Sequence, residues 1–349
     1  MKTQVVEWKN RSVAIEALKQ GEVVLFPTET VYGIACRAEE EYYHLLRDSK
    51  DRPAEKPFTL MCSQIEQVVS RCEVNAGISD VLQELMPGEL TVLLKSRPMT
   101  PHCVDLGTGV TGVRIPNSKE VLSFIDELGE PLLVSSANLS GQKPALDFES
   151  ALATFDGRVS VIIKGSCVSS IPSTVVDLTG DEPKLIRQGS LPFEKIAKIY
   201  KKPAKTISLG SDHGGFAYKN AIAEHLKKQG YNVLDFGTNS EASCDYPIFG
   251  KAAAKSVASG ESDFGIIVCT SGEGISIAAN KVAGVRCGIG YDDGVSVKLR
   301  EHNNANMIAF GQKYMKLEDV LRRVDLFLST PFSVEAKHHR RVDLLEEKC

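Results

Sequence analysis

The segment Asp263-Phe264-Gly265-Ile266-Ile267-Val268-Cys269 runs apolar and ends in Thr270-Ser271-Gly272-Glu273-Gly274, before a helix-patterned stretch over residues 275–281. A strand with no polar position to face water suits a sheet covered on both faces, the situation of parallel strands. It delivers a thiol and a hydroxyl into a glycine-rich turn at a helix entrance, where backbone N–H groups are free. Proton abstraction beside a carbonyl needs such a set, because the enediolate must be held by donors already in place. The same residues also read as a structural cysteine ahead of a helix cap.

The flanks repeat the pattern. Thr206-Ile207-Ser208-Leu209-Gly210 ends in Ser211-Asp212-His213-Gly214-Gly215, again opening into a helix. Strand-like stretches at 207–209, 232–236, 264–268, 286–289 and 307–310 alternate with helix-like ones at 216–229, 248–259, 293–301 and 317–328. That rhythm predicts a doubly wound parallel sheet, an α/β/α sandwich of Rossmann type, which takes its ligands at the carboxyl ends of the strands. Arg300-Glu301-His302-Asn303-Asn304 precedes one strand, and Lys337-His338-His339-Arg340-Arg341 forms a cationic knot in a last helix over 333–346.

The first half has a less regular pattern, expected to be a twisted mixed-sheet α/β domain. A short helix over 12–19 precedes a strand over 22–26, which ends in Pro27-Thr28-Glu29-Thr30-Val31-Tyr32-Gly33. Lys50 and Arg52 stand two apart in an extended stretch closed by Pro53, so both point one way. Arg114 follows a glycine-rich approach, and a buried strand over 131–134 leads into Ser135-Ser136-Ala137-Asn138. Pro172-Ser173-Thr174 and Ile186-Arg187 add a hydroxyl pair and another cation. Polar side chains at the ends of apolar strands suggest a concave anion site with Lys50, Arg52, Arg114 and Arg187 as its charges.

A length of 349 residues allows two domains, each with its own core. The basic, proline-broken Tyr200-Lys201-Lys202-Pro203-Ala204-Lys205 marks the boundary, giving domains at 1–202 and 205–349. Residues 1–204 carry 23 basic and 27 acidic groups and the remainder 18 of each, so neither half is a nucleic-acid binder by net charge. No stretch is apolar enough to span a membrane. The 9 cysteines are scattered, with no Cys-x-x-Cys pair and no secretory signal, which fits a reduced cytoplasmic setting. A free thiol titrates near ~8.5, and a helix N-terminus or nearby cations lower that value.

Ser211-Asp212-His213, Asp245-Tyr246-Pro247, Cys269 to Gly274, Ile275 to Lys281 and Arg300 to Asn304 span most of residues 205–349. In that order they resemble the ribose-5-phosphate isomerase B family, which includes the galactose-6-phosphate isomerase subunits. The resemblance implies that Cys269 shuttles the proton and that Ser271 supports the intermediate. It implies that His302, with Asp212, opens the sugar ring. Asn303 and the amides of Thr270, Gly272 and Gly274 would hold the enediolate. His213, Lys313, Lys337, His338 and Arg341 would grip the phosphate. Arginine is expected where Lys313 and Lys337 stand; lysine brings charge without the bidentate fork. Ile275 stands where some members carry a glutamate base, which favours the cysteine variant. No metal is expected from protein side chains. The family's active site spans a homodimer interface, so a dimer through the second half is expected.

Residues 1–200 resemble the YrdC family of threonylcarbamoyl-adenylate synthases, on Pro27 to Gly33, Lys50-x-Arg52 and Ser136-x-Asn138. The resemblance implies synthesis of threonylcarbamoyl-AMP and pyrophosphate from L-threonine, bicarbonate and ATP with Mg²⁺, for the threonylcarbamoyladenosine modification of tRNA. A threonylcarbamoyl-transferring complex on tRNA is then a partner. Thr28, Thr30 and Arg114 would cradle threonine with Ser173 nearby. Lys50, Arg52, Ser136, Asn138 and Arg187 would bind ATP and the adenylate. Two departures are Asn117-Ser118, where an acidic residue and histidine are usual, and Glu89, where a second proline is usual. Alternatives stay open. The first half could be a non-catalytic RNA-binding module, or a carbamoyl transferase domain of the hydrogenase-maturation kind. The second half could isomerise a six-carbon sugar phosphate.

Overall fold

The computed structural model describes residues 2–98, 100–169 and 171–346. Its contacts divide the chain into two units. One holds the described residues up to Glu73 together with Glu84–Tyr200; the other holds Val74–Gln83 and the described residues from Lys201 onward.

The first unit is built on one mixed ten-stranded sheet. Its strands are β1 Gln4–Glu7, β2 Val24–Pro27, β3 Tyr32–Arg37, β4 Thr59–Met61, β5 Leu90–Lys95, β6 Val110–Arg114, β7 Leu132–Ser136, β8 Val161–Lys164, β9 Thr174–Asp177 and β10 Lys184–Arg187, in the order β1-β8-β2-β3-β7-β4-β6-β5-β9-β10. The mix of parallel and antiparallel neighbours matches the irregular sequence pattern. Its helices are α1 Ser12–Lys19, α2 Glu40–Ser49, α3 Ile65–Val69, α4 Ala76–Leu85, α5 His102–Asp105, α6 Lys119–Leu128, α7 Phe148–Phe155 and α8 Phe193–Tyr200, of which α4 lies mostly with the second unit. Helix α1 buries Ala14, Ile15 and Leu18, and α6 buries Val121, Phe124 and Ile125, against Phe26, Ala35, Leu132 and Ile163 of the sheet. Phe124 packs on Phe26 with ring centroids 5.4 Å apart. Ser118 starts α6 by accepting the Val121 N–H, and Gly129 ends it in the left-handed region.

The second unit holds β11 Thr206–Ser211, β12 Asn232–Asp235, β13 Phe264–Cys269, β14 Cys287–Ile289 and β15 Met307–Gly311 in the order β12-β11-β13-β15-β14. Every neighbouring pair is parallel. Its helices are α9 Phe216–Lys228, α10 Tyr246–Ala258, α11 Glu273–Asn280, α12 Asp293–Glu301, α13 Leu317–Ser329 and α14 Ala336–Glu346. The strand period of two separates the core into two layers. Ile266 and Val268 of β13 face α9 and α13, where Ile222, Leu226, Val320 and Phe327 are buried. Ile267 and Cys269 face α10 and α11, against Ala253, Ala254 and Ile275. The doubly wound sandwich read from the sequence is the fold observed.

Residues Val74–Gln83 carry no shift in composition that sets them apart, yet they count with this unit. Ala76 joins its core, and Asp80 pairs with Lys205 at 2.7 Å.

Phe327 is fully buried and meets Phe264 edge to face at 5.8 Å. Phe327→Ala is expected to cost the second unit about 3–5 kcal/mol, from lost transfer energy and the cavity left behind. Chemical denaturation followed by a probe in that unit measures it.

Candidate active sites

In the first unit, the carboxyl end of β2 turns through Thr28, Glu29 and Thr30 into β3. The ends of β6 and β7 and the approach to β9 complete a cavity of about 280 Å³. Thr28, Thr30, Arg52, Arg114, Ser136, Ser173 and Arg187 line it, so seven of the nine residues expected from the sequence meet in one cavity. Thr28 and Thr30 hydroxyls are 3.1 Å apart, and Arg114 Nη2 donates to Thr30 Oγ1 at 2.9 Å. Across the cavity Arg187 Nη2 donates to the Ser173 carbonyl at 2.8 Å, and Ser173 meets Thr91 at 2.8 Å. Burial lowers the pKa of Arg187, with the charge of Arg114 acting in the same sense.

The other two expected residues stand behind the wall. Lys50 caps the carboxyl end of α2 and is 1 % exposed. Its Nζ donates to Ser135 Oγ at 2.8 Å and to the Ser136 carbonyl at 2.5 Å. Asn138 is pinned by its amide to the Leu139 and Gln142 carbonyls, and its Oδ1 accepts the Ser136 hydroxyl at 2.5 Å. Asn138 therefore sets the Ser136 hydroxyl. Arg52 is held by the Lys56 and Pro57 carbonyls at 3.1 and 2.7 Å and lies over the Phe58 ring. Anchored to neutral oxygens, it keeps its positive charge uncancelled.

Sequence reading passed over Glu29, Thr91 and Ser135. Glu29 is buried; its Oε1 pairs with Arg114 at 2.7 Å and accepts the Asn117 N–H at 2.9 Å, while its Oε2 has no partner. The departure at Asn117-Ser118 is thus absorbed locally, by a backbone bond to Glu29 and by the cap on α6. Glu89 accepts a hydrogen bond from the Ser190 hydroxyl. Glu29 and Ser135 sit inside the motifs at 27–33 and 135–138, but nothing in their spacing marks them.

In the second unit the carboxyl ends of β11, β13 and β15 lie side by side: Ser211 registers with Val268, and Cys269 with Gly311. This row presents Asp212, His213, Cys269, Thr270, Ser271 and, after β15, Lys313. Gly272 takes a φ of 86° at the mouth of α11, and its N–H donates to Cys269 Sγ at 3.1 Å. A side chain there would be strained. The His213-Gly214 turn approaches so closely that a Cβ on Gly214 would meet Thr270 Oγ1 at 2.2 Å. His213 Nδ1 accepts the Cys244 N–H at 3.2 Å. Asp212 Oδ1 is buried without a partner. Burial holds the Asp212 carboxyl above its ordinary value, against the pull of His213 and of the Gly214 and Gly215 amides.

The remaining expected residues are elsewhere. His302 and Asn303 follow α12 and lead into the start of β15, beside Gly265, whose N–H donates to Asn306. Cys269 registers with the far end of β15, a length of about 13 Å for a five-residue strand. His302 stacks on His338 of α14 with centroids 4.1 Å apart. Burial, then the Lys298 charge, lowers the pKa of His302. Lys337 pairs with Glu335 at 2.6 Å, and Arg341 is exposed. One chain thus places Asp212 and His302 at opposite ends of the sheet rather than together. Among the described residues no group of three or more His, Cys, Asp or Glu side chains could hold a metal ion, and no helix is long and apolar enough to cross a membrane.

Comparison with known proteins follows this division. Residues 207–345 match the family model described as "Ribose/Galactose Isomerase". Residues 16–189 match the Sua5/YciO/YrdC model, described as "Telomere recombination". Ribose-5-phosphate isomerase B of Mycobacterium tuberculosis is 40 % identical over 142 residues, 40 % of this chain and 88 % of that protein. Threonylcarbamoyl-AMP synthase of Pyrococcus abyssi is 32 % identical over 202 residues, 57 % of this chain but 59 % of that protein's length. The crystal structure of Escherichia coli YciO superposes with a TM-score of 0.52 at 24 % identity, covering 56 % of this chain and 99 % of that one, and shows the fold of the first unit. The chain is an enzyme of the ribose/galactose isomerase family in its second half, joined to a first half that matches the Sua5/YciO/YrdC model and has the YciO fold.

Proposed function

We propose that the chain carries two activities: formation of threonylcarbamoyl-AMP from L-threonine, bicarbonate and ATP in the first unit, and interconversion of ribose 5-phosphate and ribulose 5-phosphate in the second. The observation that carries the first is the cavity wall. Thr28, Thr30 and Arg114 offer two hydroxyls and a guanidinium to an amino acid's hydroxyl and carboxylate. Arg52, Ser136 and Arg187 offer charge and a donor to a triphosphate, with Lys50 and Asn138 behind them. No carboxylate lines this wall, so Mg²⁺ would enter on the phosphate oxygens rather than on side chains. An enclosed site suits a carbamate that water destroys, and fixed cations stabilise the charge that builds on the phosphates.

The isomerase reading rests on the Gly272 N–H aimed at Cys269 Sγ at 3.1 Å, where the central strand meets a helix entrance. As a thiolate, Cys269 takes the proton from the carbon beside the sugar carbonyl; the electron pair moves to oxygen and gives the enediolate. The amides of residues 270–274 hold that oxyanion, and the thiol returns the proton to the neighbouring carbon. His213 and Lys313 stand at the same end for phosphate. His302, Asn303, Lys337, His338 and Arg341 lie at the other end, so they reach a sugar bound at Cys269 only from a second copy. The exposed Ile248 and Ile277, on the mutually packed α10 and α11, give an apolar face for that copy. A homodimer through the second unit completes the site. The sugar's length turns on this far end, so a six-carbon substrate is the second reading. Lys337 in place of arginine favours neither.

Arg52→Ala is expected to lower threonine- and bicarbonate-dependent pyrophosphate release at least ~100-fold, as removal of one fixed donor does. Near-parental synthesis at saturating ATP refutes its placement. Cys269→Ser keeps the volume but exchanges the thiol for a hydroxyl too weakly acidic to serve. Isomerase turnover should collapse while sugar phosphate still binds and pyrophosphate release persists; surviving turnover would assign the base to another residue. Mixing Cys269→Ser chains with His302→Ala chains should restore part of the isomerase activity that each lacks alone, because one mixed site then holds both intact groups. No recovery after subunit exchange contradicts the shared site.

A further inference from the structure

We propose that Ser135 and Lys50 form a proton relay that deprotonates the substrate amine in the cavity of the first unit. This rests on the reading of that amine as threonine's. At neutral pH an amino acid carries an ammonium group, which cannot bond to carbon until it gives up a proton. The reaction therefore needs a base; no histidine or carboxylate lines the cavity, and the buried Glu29 behind it is held as a carboxylate by Arg114 and the Asn117 N–H.

The geometry supplies one a single layer back. Ser135 lines the cavity, and Lys50 Nζ lies 2.8 Å behind its hydroxyl oxygen. The other oxygen that Nζ meets is the neutral Ser136 carbonyl at 2.5 Å. Among the described residues no carboxylate pairs with Lys50. On its own segment Asp48 turns to Arg47 at 2.9 Å and Asp51 to Arg158 at 3.4 Å. The neighbouring strand β7 presents only Ser135 and Ser136, and the chain beyond it only Asn138 and the Ser140 N–H, which donates to the Lys50 carbonyl. Arg52, with Nη1 3.5 Å from Ser135 Oγ, is the charged neighbour. Burial, and then the charge of Arg52, lower the Lys50 amine to about 7. In the neutral amine one N–H still donates to the Ser136 carbonyl, and the lone pair is free to accept the Ser135 hydroxyl proton across the 2.8 Å contact.

The step balances within the site. A substrate N–H bond breaks as Ser135 Oγ takes that proton. The Ser135 O–H bond breaks as its own proton passes to the Lys50 lone pair, leaving Lys50 an ammonium. The freed nitrogen pair bonds the carbon of bicarbonate, and the bicarbonate hydroxyl leaves as water with a second amine proton. Lys50 later returns its proton through Ser135 to solvent. A lysine paired with a serine hydroxyl is an established base arrangement.

The test uses the full chain. In the parent, kcat/KM for threonine should rise with pH through a midpoint near the Lys50 value, as the neutral amine fills. Ser135→Ala and Lys50→Arg should each lower it about 100-fold and remove that limb. Ser135→Ala should leave ATP binding and the thermal midpoint unchanged, and Ser135→Thr should restore much of the loss. Weaker ATP binding with an unchanged pH limb would make Ser135 a phosphate ligand and overturn the relay. So would parental activity in Lys50→Arg, whose guanidinium cannot accept a proton. A parent that releases no pyrophosphate with threonine defeats the activity reading instead. A ¹⁵N NMR titration of the Lys50 amine then decides the pair: neutralisation near neutral pH, displaced by Ser135→Ala, supports it, and an amine charged into alkaline pH overturns it.

Discussion

Strand β13 is hydrogen-bonded on both sides, to β11 and to β15, and its side chains alternate between two covered faces. The second unit depends on that register. A slip of one residue would exchange Ile266 and Val268 with Ile267 and Cys269, moving the thiol from the α10–α11 layer to the α9–α13 layer. The cost would fall on both cores at once, so the position of Cys269 is fixed by bulk packing rather than by local bonds. The turn after it has little freedom either. Gly272 must take a positive φ to direct its N–H back at the sulfur, and the His213-Gly214 turn leaves no room for a side chain against Thr270. A rigid sheet thereby sets the Gly272 N–H against the Cys269 sulfur in advance, and a donor fixed in this way needs little reorganisation when charge develops.

The first unit builds its cavity by another physical route. Its guanidinium groups are held by neutral oxygens: Arg52 by the Lys56 and Pro57 carbonyls and Arg187 by the Ser173 carbonyl. Hydrogen bonds of this kind fix direction without cancelling charge, so the field in the cavity stays positive. Arg114 is the exception, paired with Glu29 at 2.7 Å. Leaving that guanidinium buried and unpaired would be costly, and the pair is nearly neutral toward its surroundings. It therefore suits a zwitterion such as an amino acid better than it suits a phosphate. The division of the wall into a balanced end and an unbalanced end follows from that one carboxylate.

Much of this was legible in the sequence where periodicity and strand-end motifs agree. The sandwich of the second unit follows from alternating short apolar strands and helices, and helix α12 has the bounds its pattern gives, Asp293–Glu301. Seven wall residues of the first cavity could be read from hydroxyls and cations at strand ends. What stayed hidden depends on contacts distant in sequence. Nothing near Val74–Gln83 signals that Ala76 belongs with a core made by residues beyond 200. Glu29 looks like a polar turn residue until β6 brings Arg114 to it. Lys50 reads as a charge of the anion site itself, and only β7 closing over it puts it behind the wall.

The same limit explains why one chain leaves its isomerase residues in two groups. Motifs give residue types in order, and a parallel sheet sends successive connections to alternate ends. A residue that follows a strand, such as Asp212 or Thr270, lies at the carboxyl end. A residue that follows a crossover helix, such as His302 after α12, lies at the amino end. No rearrangement within this topology brings both to one place while β15 stays paired with β13 along Met307–Gly311. The stacked His302 and His338, with one ring nitrogen of His338 buried and unpartnered, form a preassembled edge at the end of the sheet away from their own thiol. The isomerase mechanism proposed above draws on both ends, and that is why the proposal calls for a second copy, each lending its amino-end edge to the other's strand ends.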